Sequence, residues 1–320
     1  MKAIDHTFAE IEQPKPTPAG RDLLVKVEAI SVNPVDYKQR KTATSSKVLG
    51  WDAAGTVEAV GKDVTLFKRG DAVYYAGDVT RPGANSEFHL VDERIVGRKP
   101  KKLDFAQAAA MPLTSITAWE AFYDRMHVVP GKSMLIIGGA GGVGSIGIQL
   151  AKSSNLRVIA TASRPETTAW VKSLGADHVV DHRKELRPQL EALGLKQVDY
   201  IANFSGELDA YWSAMADVIA PQGAMVAIVG NVKPMAMDVV RSKSATICWE
   251  LMFTRPRFQT PDMIEQHRLL DEVADRLDAG KLKCTLKETL SPISGANLRK
   301  AHERLESGTM IGKLVLKGWA

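Results

Sequence analysis

A cluster of glycines near the middle of the chain has the clearest chemical meaning. The segment 134–152 reads MLIIGGAGGVGSIGIQLAK and contains the pattern G-x-G-x-x-G between an apolar run and an amphipathic run. That setting places the pattern between a predicted strand and a predicted helix, where its glycines allow a tight turn and a close approach to a pyrophosphate. The spacing therefore predicts a dinucleotide site. Its backbone would contact the phosphates at Gly139, Gly141, Gly142, Val143 and Gly144.

The end of the next predicted strand, LRVIATA, indicates which dinucleotide fits. An NAD site has Asp or Glu there, about 20 residues after the glycines, to accept a hydrogen bond from the ribose 2′-hydroxyl. This chain has Ser163 and Arg164, a hydroxyl and a guanidinium that can bind a 2′-phosphate. Lys172 follows on the same predicted helix as a further candidate. The segment predicts NADPH; the alternatives are helix capping for Ser163 and a solvated surface position for Arg164.

Alternating strands and helices must position these residues. Ser163 and Glu166 form a capping-box pattern for a helix that ends near Gly175. Strand–helix alternation predicts a parallel, doubly wound α/β sheet with right-handed crossovers. The predicted strands cover 134–138, 156–162, 178–181, 198–204, 224–230 and 245–251.

The two ends of the chain have a different pattern. Short β-like pieces separated by Gly, Asp and Pro follow one another from Arg21 to about Val96. The tail, from about Thr254, contains a long predicted helix over 262–280 and a final predicted strand over 312–317. The early strands are predicted over 23–32, 55–61, 71–77 and 87–91.

Composition excludes several classes of protein. The 320 residues suffice for two domains, and 45% hydrophobic with 25% charged residues is typical of a soluble globular protein. No apolar run is long enough for a membrane span, and the start lacks a secretory signal. Cys248 and Cys284 are far apart, which argues against a disulfide framework and for a reducing, cytoplasmic setting. The basic run Arg98–Lys102 lacks interleaved aromatics, so nucleic acid is not a favoured partner.

Several stretches together resemble the medium-chain dehydrogenase/reductase superfamily, in its quinone oxidoreductase-like branch and the subgroup called zinc-type alcohol dehydrogenase-like. The resemblance implies a GroES-like, mainly β catalytic domain over 1–113 and 254–320, with a Rossmann domain over 114–253 inserted between. It also implies an active site between the domains and a homodimer or homotetramer. The stretches include GRDLLVKVEAISVNPVDYK, KVLGWDAAGTVEAVGKDV, FKRGDAVYYAG, AAAMPLTSITAWEA, LGADHVVDH and ESGTMIGKLVL.

The zinc ligands of that superfamily are replaced in this chain. The resemblance places the three catalytic ligand positions at Asn33, Trp51 and Pro112 or its neighbour, none of which binds zinc. Two cysteines in the whole chain cannot build the four-cysteine structural site either. We therefore predict no stoichiometric zinc. Asp36 and Asp52 keep acidic positions of the zinc pattern; we interpret them as structural hydrogen-bond acceptors, with a ligand role as the alternative.

Without a metal, an electron-poor acceptor can still take hydride from a nicotinamide. The resemblance implies NADPH-dependent reduction of a quinone or an α,β-unsaturated carbonyl, for which the protein needs to supply positioning and hydrogen-bond donors. Two alternatives are an alcohol dehydrogenase or carbonyl reductase, and an NADPH-binding sensor or nucleic-acid-binding protein with little turnover.

Candidate site residues follow from the resemblance and from the strand ends. Asn33 matches a position facing nicotinamide and substrate, with loop bracing as its alternative role, and Thr117 matches a threonine near the cofactor. Trp51 is either a pocket wall or a core residue. Carboxyl ends of strands bind ligands in such sheets. The predicted catalytic set is Asn33, Tyr37, Lys38, Trp51 and Thr117; cofactor contacts are also predicted at Asn33, Thr117, His182, Ser205, Gly230, Asn231 and Thr254.

Overall fold

The computed structural model describes residues 1–206 and 208–319, and the chain divides into two compact units. The first unit comprises Met1–Ile116 and Met252–Ala320, and the second comprises Thr117–Leu251. The first unit is therefore built from both ends of the chain, and the second is one continuous segment.

The strands and helices are numbered along the chain. The strands are β1 (Lys2–Ile4), β2 (Glu10–Glu12), β3 (Asp22–Ser31), β4 (Asp52–Val60), β5 (Ala72–Ala76), β6 (Phe88–Asp92), β7 (Val96–Arg98), β8 (Ser133–Ile137), β9 (Arg157–Thr161), β10 (His178–Val180), β11 (Val198–Asn203), β12 (Ile219–Ala227), β13 (Thr246–Trp249), β14 (Leu286–Leu290) and β15 (Lys313–Lys317). The α-helices are α1 (Pro34–Thr42), α2 (Phe105–Ala109), α3 (Pro112–Trp119), α4 (Gly142–Ser153), α5 (Pro165–Ser173), α6 (Leu186–Ala192), α7 (Leu208–Val218), α8 (Thr254–Phe258), α9 (Glu265–Asp278) and α10 (Gly295–Glu306).

In the first unit, one sheet joins strands from both chain segments. Its strand order is β14-β15-β3-β4-β5-β7, and β6 also pairs with β3. The long strand β3 pairs with β6 along its first half and with β15 along its second half. Apolar side chains such as Val25, Val27, Val57 and Val73 are fully buried and form its core. The final strand of the chain is thus an integral part of this sheet.

In the second unit, a six-stranded parallel sheet has the order β10-β9-β8-β11-β12-β13. This is the predicted doubly wound arrangement, and the order reverses between β8 and β11, where such sheets bind ligands. The apolar runs that predicted the strands are buried: Leu135, Ile159 and Ile201 have no exposed surface. None of the described helices is both long enough and apolar enough to cross a lipid bilayer.

Two buried carboxyl groups lie next to each other at the end of β13. Glu120 begins a π-helical turn over Glu120–Arg125, and Glu250 follows β13; their exposed fractions are 0% and 2%. Burial raises the pKa of Glu250 to about 9, with a further increase from the neighbouring Glu120, although Arg125 donates to Glu250 at 2.9 Å and opposes the increase. Glu250 therefore keeps its proton at neutral pH in the folded protein.

Glu250→Gln is expected to remove part of the protein's pH sensitivity. An unfolded chain releases this proton near pH 4.5, whereas the folded protein holds it to about pH 9. The stabilisation is therefore complete below the lower value and is lost as the pH rises through this window. Between about pH 5.5 and 8.5 we expect the wild type to lose at least about 1.4 kcal/mol more than the variant, the equivalent of one pKa unit. Thermal unfolding midpoints at several pH values measure this. Glu191→Gln, at a surface carboxylate, serves as the control, and parallel pH profiles for all three proteins would contradict the assignment.

Candidate active site

The glycine loop between β8 and α4 has two positions that the protein's own packing requires to be glycine. Gly138 has a φ of +79°, a left-handed conformation that favours glycine. A Cβ atom on Gly144 would lie 2.2 Å from the carbonyl oxygen of Gly138 and 2.7 Å from the Cα of Gly139. The tight turn and the close contact of helix with loop therefore account for these glycines without any ligand.

Gly141 is different, because the surrounding described residues leave room for a side chain. Its φ of −72° and ψ of 178° suit any residue, and a Cβ there would meet only the carbonyl oxygen of Gly138, at 3.4 Å. The result is an open cradle against bare backbone. It lies at a helix start whose first N–H groups, at Gly142, Val143 and Gly144, lack partners within the helix. This arrangement fits a dinucleotide pyrophosphate, which the positive end of a helix attracts.

The carboxyl end of β11 lies beside the same loop. A Cβ on Gly138 would lie 2.7 Å from the Cβ of Ser205, so the structure brings this predicted residue next to the glycines. The backbone N–H of Ser205 donates to Asn203 Oδ1 at 3.1 Å, and Asn203 is 1% exposed. Sequence reasoning missed Asn203. The available signal was a polar residue directly after the apolar pair Ile201 and Ala202 near the end of the predicted strand VDYIANF.

A groove of about 580 Å³ opens beyond the end of β9. Ser163, Arg164 and Lys172 all line it, so the three residues predicted to face a 2′-phosphate share one surface. Arg164 also pairs with Glu166 at 3.2 Å. The ammonium of Lys172 makes no ion pair or hydrogen bond with any residue that the structure describes. The groove therefore presents cationic side chains where an NAD site would present a carboxylate.

The start of α5 differs from the sequence prediction. The predicted capping box of Ser163 and Glu166 is wrong, because the N-cap is Arg164. The hydroxyl of Thr167 accepts a hydrogen bond from the Arg164 N–H at 3.1 Å and donates to the Arg164 carbonyl at 2.8 Å. The helix thus begins one residue later than predicted, and Ser163 belongs to the loop that lines the groove.

The other predicted cofactor residues lie in several places. A Cβ on Gly230 would meet nothing within 4 Å, and its carbonyl accepts from the Leu208 N–H at 3.2 Å. Asn231 and His182 are exposed, and His182 does not line the groove. Thr117 is 4% exposed in the second unit. Thr254 begins α8 in the first unit.

In the first unit, Asn33 belongs to a buried polar network and is 2% exposed. Its Nδ2 donates to Asp52 Oδ2 at 3.0 Å, and its Oδ1 accepts from the ammonium of Lys313 at 2.5 Å. Lys313 also donates to Asp52 Oδ2 at 3.0 Å and to the Val32 carbonyl at 3.1 Å. Both polar groups of the Asn33 side chain are therefore engaged inside the unit, an arrangement that braces its loop. Sequence reasoning missed Lys313.

Asp36 and Asp52 accept hydrogen bonds, as predicted. Asp36 accepts from the Asn33 N–H at 2.8 Å, and Asp52 also accepts from the Leu113 N–H at 2.9 Å. Burial raises the pKa of Asp36 to about 7; the Asn33 N–H and the Lys313 charge oppose this, and Asp52 adds to it. The network thus links the start of α1, β4, the start of α3 and β15.

The remaining predicted catalytic residues differ in exposure. Trp51 has no exposed surface and packs edge-on against Phe253, with ring centres 6.0 Å apart, so it occupies a core position in the first unit. Tyr37 and Lys38 lie on α1, where Tyr37 is half-buried and Lys38 is exposed. The ammonium of Lys41 lies 5.2 Å from the centre of the Tyr37 ring.

Comparisons with known proteins agree with this architecture. Residues 19–101 match the model of the alcohol dehydrogenase GroES-like domain, and residues 174–316 match that of zinc-binding dehydrogenases. A zinc-type alcohol dehydrogenase-like protein from Staphylococcus aureus is 45% identical over 317 residues, covering 97% of this chain and 94% of the relative. The chain belongs to the medium-chain dehydrogenase/reductase superfamily. Its fold is a Rossmann domain inserted in a GroES-like domain, as the resemblance implied.

Other proteins similar to this chain have names that state a reaction or a bound cofactor. A 2-methylene-furan-3-one reductase from Solanum lycopersicum is 33% identical over 310 residues, covering 92% of this chain and 71% of the relative. The crystal structure of a Pseudomonas syringae quinone oxidoreductase has a TM-score of 0.85 at 27% identity, covering 99% of both chains. The mycobacterial protein Rv1454c, complexed with NADPH, has a TM-score of 0.86 at 27% identity, covering 99% of this chain and 100% of its own. This superfamily member is a nicotinamide-dependent oxidoreductase.

Some relatives are named as zinc-type proteins, but the residues at the predicted ligand positions of this chain are unsuited to zinc. Asn33 and Trp51 are buried and cannot provide the thiolate or imidazole that zinc prefers. The Asn33 side-chain oxygen accepts a hydrogen bond from the Lys313 ammonium. Within residues 1–206 and 208–319, no group of three or more His, Cys, Asp or Glu residues is arranged to hold a metal ion.

Proposed function

We propose that this superfamily member transfers hydride from NADPH to a quinone or an α,β-unsaturated carbonyl without a metal. The observation that carries the proposal is the open cradle at Gly141, together with a groove after β9 that has Ser163, Arg164 and Lys172 among its lining residues. The relatives named as a quinone oxidoreductase and a 2-methylene-furan-3-one reductase support the acceptor class. The relative complexed with NADPH supports the cofactor.

The protein's own contribution would be binding and orientation. Bound NADPH supplies the hydride; the glycine loop would hold its pyrophosphate, and Ser163, Arg164 and Lys172 would hold its 2′-phosphate. A conjugated carbonyl gains negative charge on oxygen during reduction, so a donor aimed at that oxygen lowers the barrier. Tyr37 and Lys38 on α1, which carry O–H and N–H groups, are the proposed donors. Asn33 would act indirectly, because its own donors and acceptor are engaged by Asp52 and Lys313.

Oxidation of NADPH with a panel of quinones, alkenals and simple ketones tests the reaction. We expect turnover with the first two classes and little with the third, and we expect a chelator to change none of the rates. Metal analysis of the dialysed protein accompanies the assay. About one zinc per chain, together with inactivation by the chelator, would contradict metal-independent transfer. Alcohol-driven reduction of NADP⁺ would instead favour an alcohol dehydrogenase.

Arg164→Ala tests the cofactor preference. A charge-assisted hydrogen bond contributes about 1.5–3 kcal/mol, so we expect the KM for NADPH to rise by about one to two orders of magnitude. The KM for NADH should stay nearly constant, because NADH has no 2′-phosphate. Arg268→Ala is the matched control: Arg268 pairs with Glu265 on α9 in the first unit and should affect neither cofactor. Equal increases for NADPH and NADH in the Arg164 variant would refute the assignment.

A further inference from the structure

Two carboxylates, Asp177 and Asp181, line the groove in which the phosphate of NADPH is proposed to bind. Asp181 follows β10 directly and lines the groove together with Ser163 and Lys172. The Gln189 side chain fixes the Asp181 backbone: it donates to the Asp181 carbonyl at 3.0 Å and accepts from the Asp181 N–H at 2.7 Å. A negative charge fixed at this place would repel a phosphate.

Arg183 covers that carboxylate. Its Nε donates to Asp181 Oδ1 at 3.0 Å and its Nη2 donates to Oδ2 at 2.7 Å, so the ion pair is bidentate. These hydrogen bonds hold the pKa of Asp181 well below its ordinary value, so Asp181 stays charged. The same Nη2 donates to the Ser163 carbonyl at 2.7 Å. The Arg183 guanidinium therefore connects the loop after β10 to the loop after β9.

The balance of charge in the groove depends on this contact. The other acidic lining residue, Asp177, is paired with Lys152, whose ammonium lies 2.8 Å from both carboxylate oxygens. With Asp177 and Asp181 both paired, Lys172 is left without an anionic partner among the described residues. Removing Arg183 would expose the charge of Asp181 and would remove the hydrogen bond to the Ser163 carbonyl.

We propose that Arg183 determines specificity for the phosphorylated cofactor by masking the carboxylate of Asp181, while its hydrogen bond to the Ser163 carbonyl holds the guanidinium in place. The inference rests on the proposed NADPH site and adds a positioning residue from the loop after β10. It does not require Arg183 to touch the phosphate itself.

Binding of adenosine 2′,5′-bisphosphate and of 5′-AMP tests the inference without any turnover. The two probes differ only in the 2′-phosphate, and calorimetric titration gives both Kd values for each variant. We expect Arg183→Ala to weaken binding of the bisphosphate by about tenfold or more and to change the Kd of 5′-AMP by less than about twofold. The control is Arg187→Ala, which breaks a similar exposed pair with Asp217 outside the groove.

The double variant Asp181→Asn with Arg183→Ala separates masking from a direct contact. If Arg183 acts by masking, removing the carboxylate as well restores most of the bisphosphate affinity. Failure to restore it, or an equal loss for both probes in the single variant, overturns the inference. A wild type that binds the bisphosphate no better than 5′-AMP also overturns it. The NADPH oxidation assay reports separately on the proposed reaction, so the two failures are distinguishable.

Discussion

Replacing Gly141 by alanine is expected to weaken NADPH binding by on the order of 100-fold, or about 2.8 kcal/mol, while the fold stays intact. The added methyl group would fill the cradle in which the pyrophosphate approaches the backbone. The protein itself tolerates it, because among the described residues the new Cβ would meet only the Gly138 carbonyl oxygen, at 3.4 Å, and the backbone angles suit alanine. Quenching or enhancement of NADPH fluorescence gives the Kd, and the unfolding temperature reports on the fold.

Gly144→Ala is the matched control. Its Cβ would lie 2.2 Å from a backbone oxygen, so something in the loop must shift. We therefore expect this variant to lose stability as well as binding. If Gly141→Ala bound NADPH as tightly as the wild type, the cradle would not be the pyrophosphate site.

Lys313→Met is expected to destabilise the first unit by about 3–5 kcal/mol, the usual cost of removing one partner of a buried ion pair. Lys313 and Asp52 are 4% and 0% exposed at their side chains, and the ammonium donates to three acceptors. Methionine has a similar length but no charge, so Asp52 would keep an uncompensated charge in the core. Denaturant unfolding at constant pH measures the loss.

Two further variants show whether the charge is responsible. Lys313→Met combined with Asp52→Asn removes both charges and should recover a substantial part of the lost stability. Lys317→Met removes an exposed lysine from the same strand and should have little effect. A double variant no more stable than Lys313→Met alone would show that shape, and not charge, sets the cost.

Local patterns predicted the second unit well. Each of its six strands overlaps a predicted apolar run, although β12 begins at Ile219, five residues before its predicted start. The glycine motif marks where the first of these strands ends and the next helix begins. These signals lie within a few residues of one another, so they need no knowledge of the rest of the chain. Ser163 shows the limit of such reasoning. Its spacing to Glu166 is that of a capping box, but Thr167 forms the hydrogen bonds that set the helix start.

The network around Asn33 could not be predicted in this way. Lys313 lies 280 positions from Asn33 along the chain, and no local pattern indicates that they meet. The motif position of Asn33 indicated that the residue matters, but only the tertiary contacts show how its polar groups are used. Strand β14 was missed for a similar reason, because it exists through its parallel pairing with β15. The Asn33 network and strand β14 both depend on contacts between segments that are far apart in the sequence or pair only in the folded sheet.

The pairing of the last strand with β3 has a consequence for how the protein is made. Val315 is aligned with Ser31, so this part of the sheet joins residues that lie 284 positions apart along the chain. While the ribosome is still adding the tail, β3 can pair with β4 and β6 but not with β15, and Asp52 lacks its cation. The continuous inserted segment has no such dependence. It can fold during synthesis, whereas the sheet of the first unit is completed only after β15 has been synthesised.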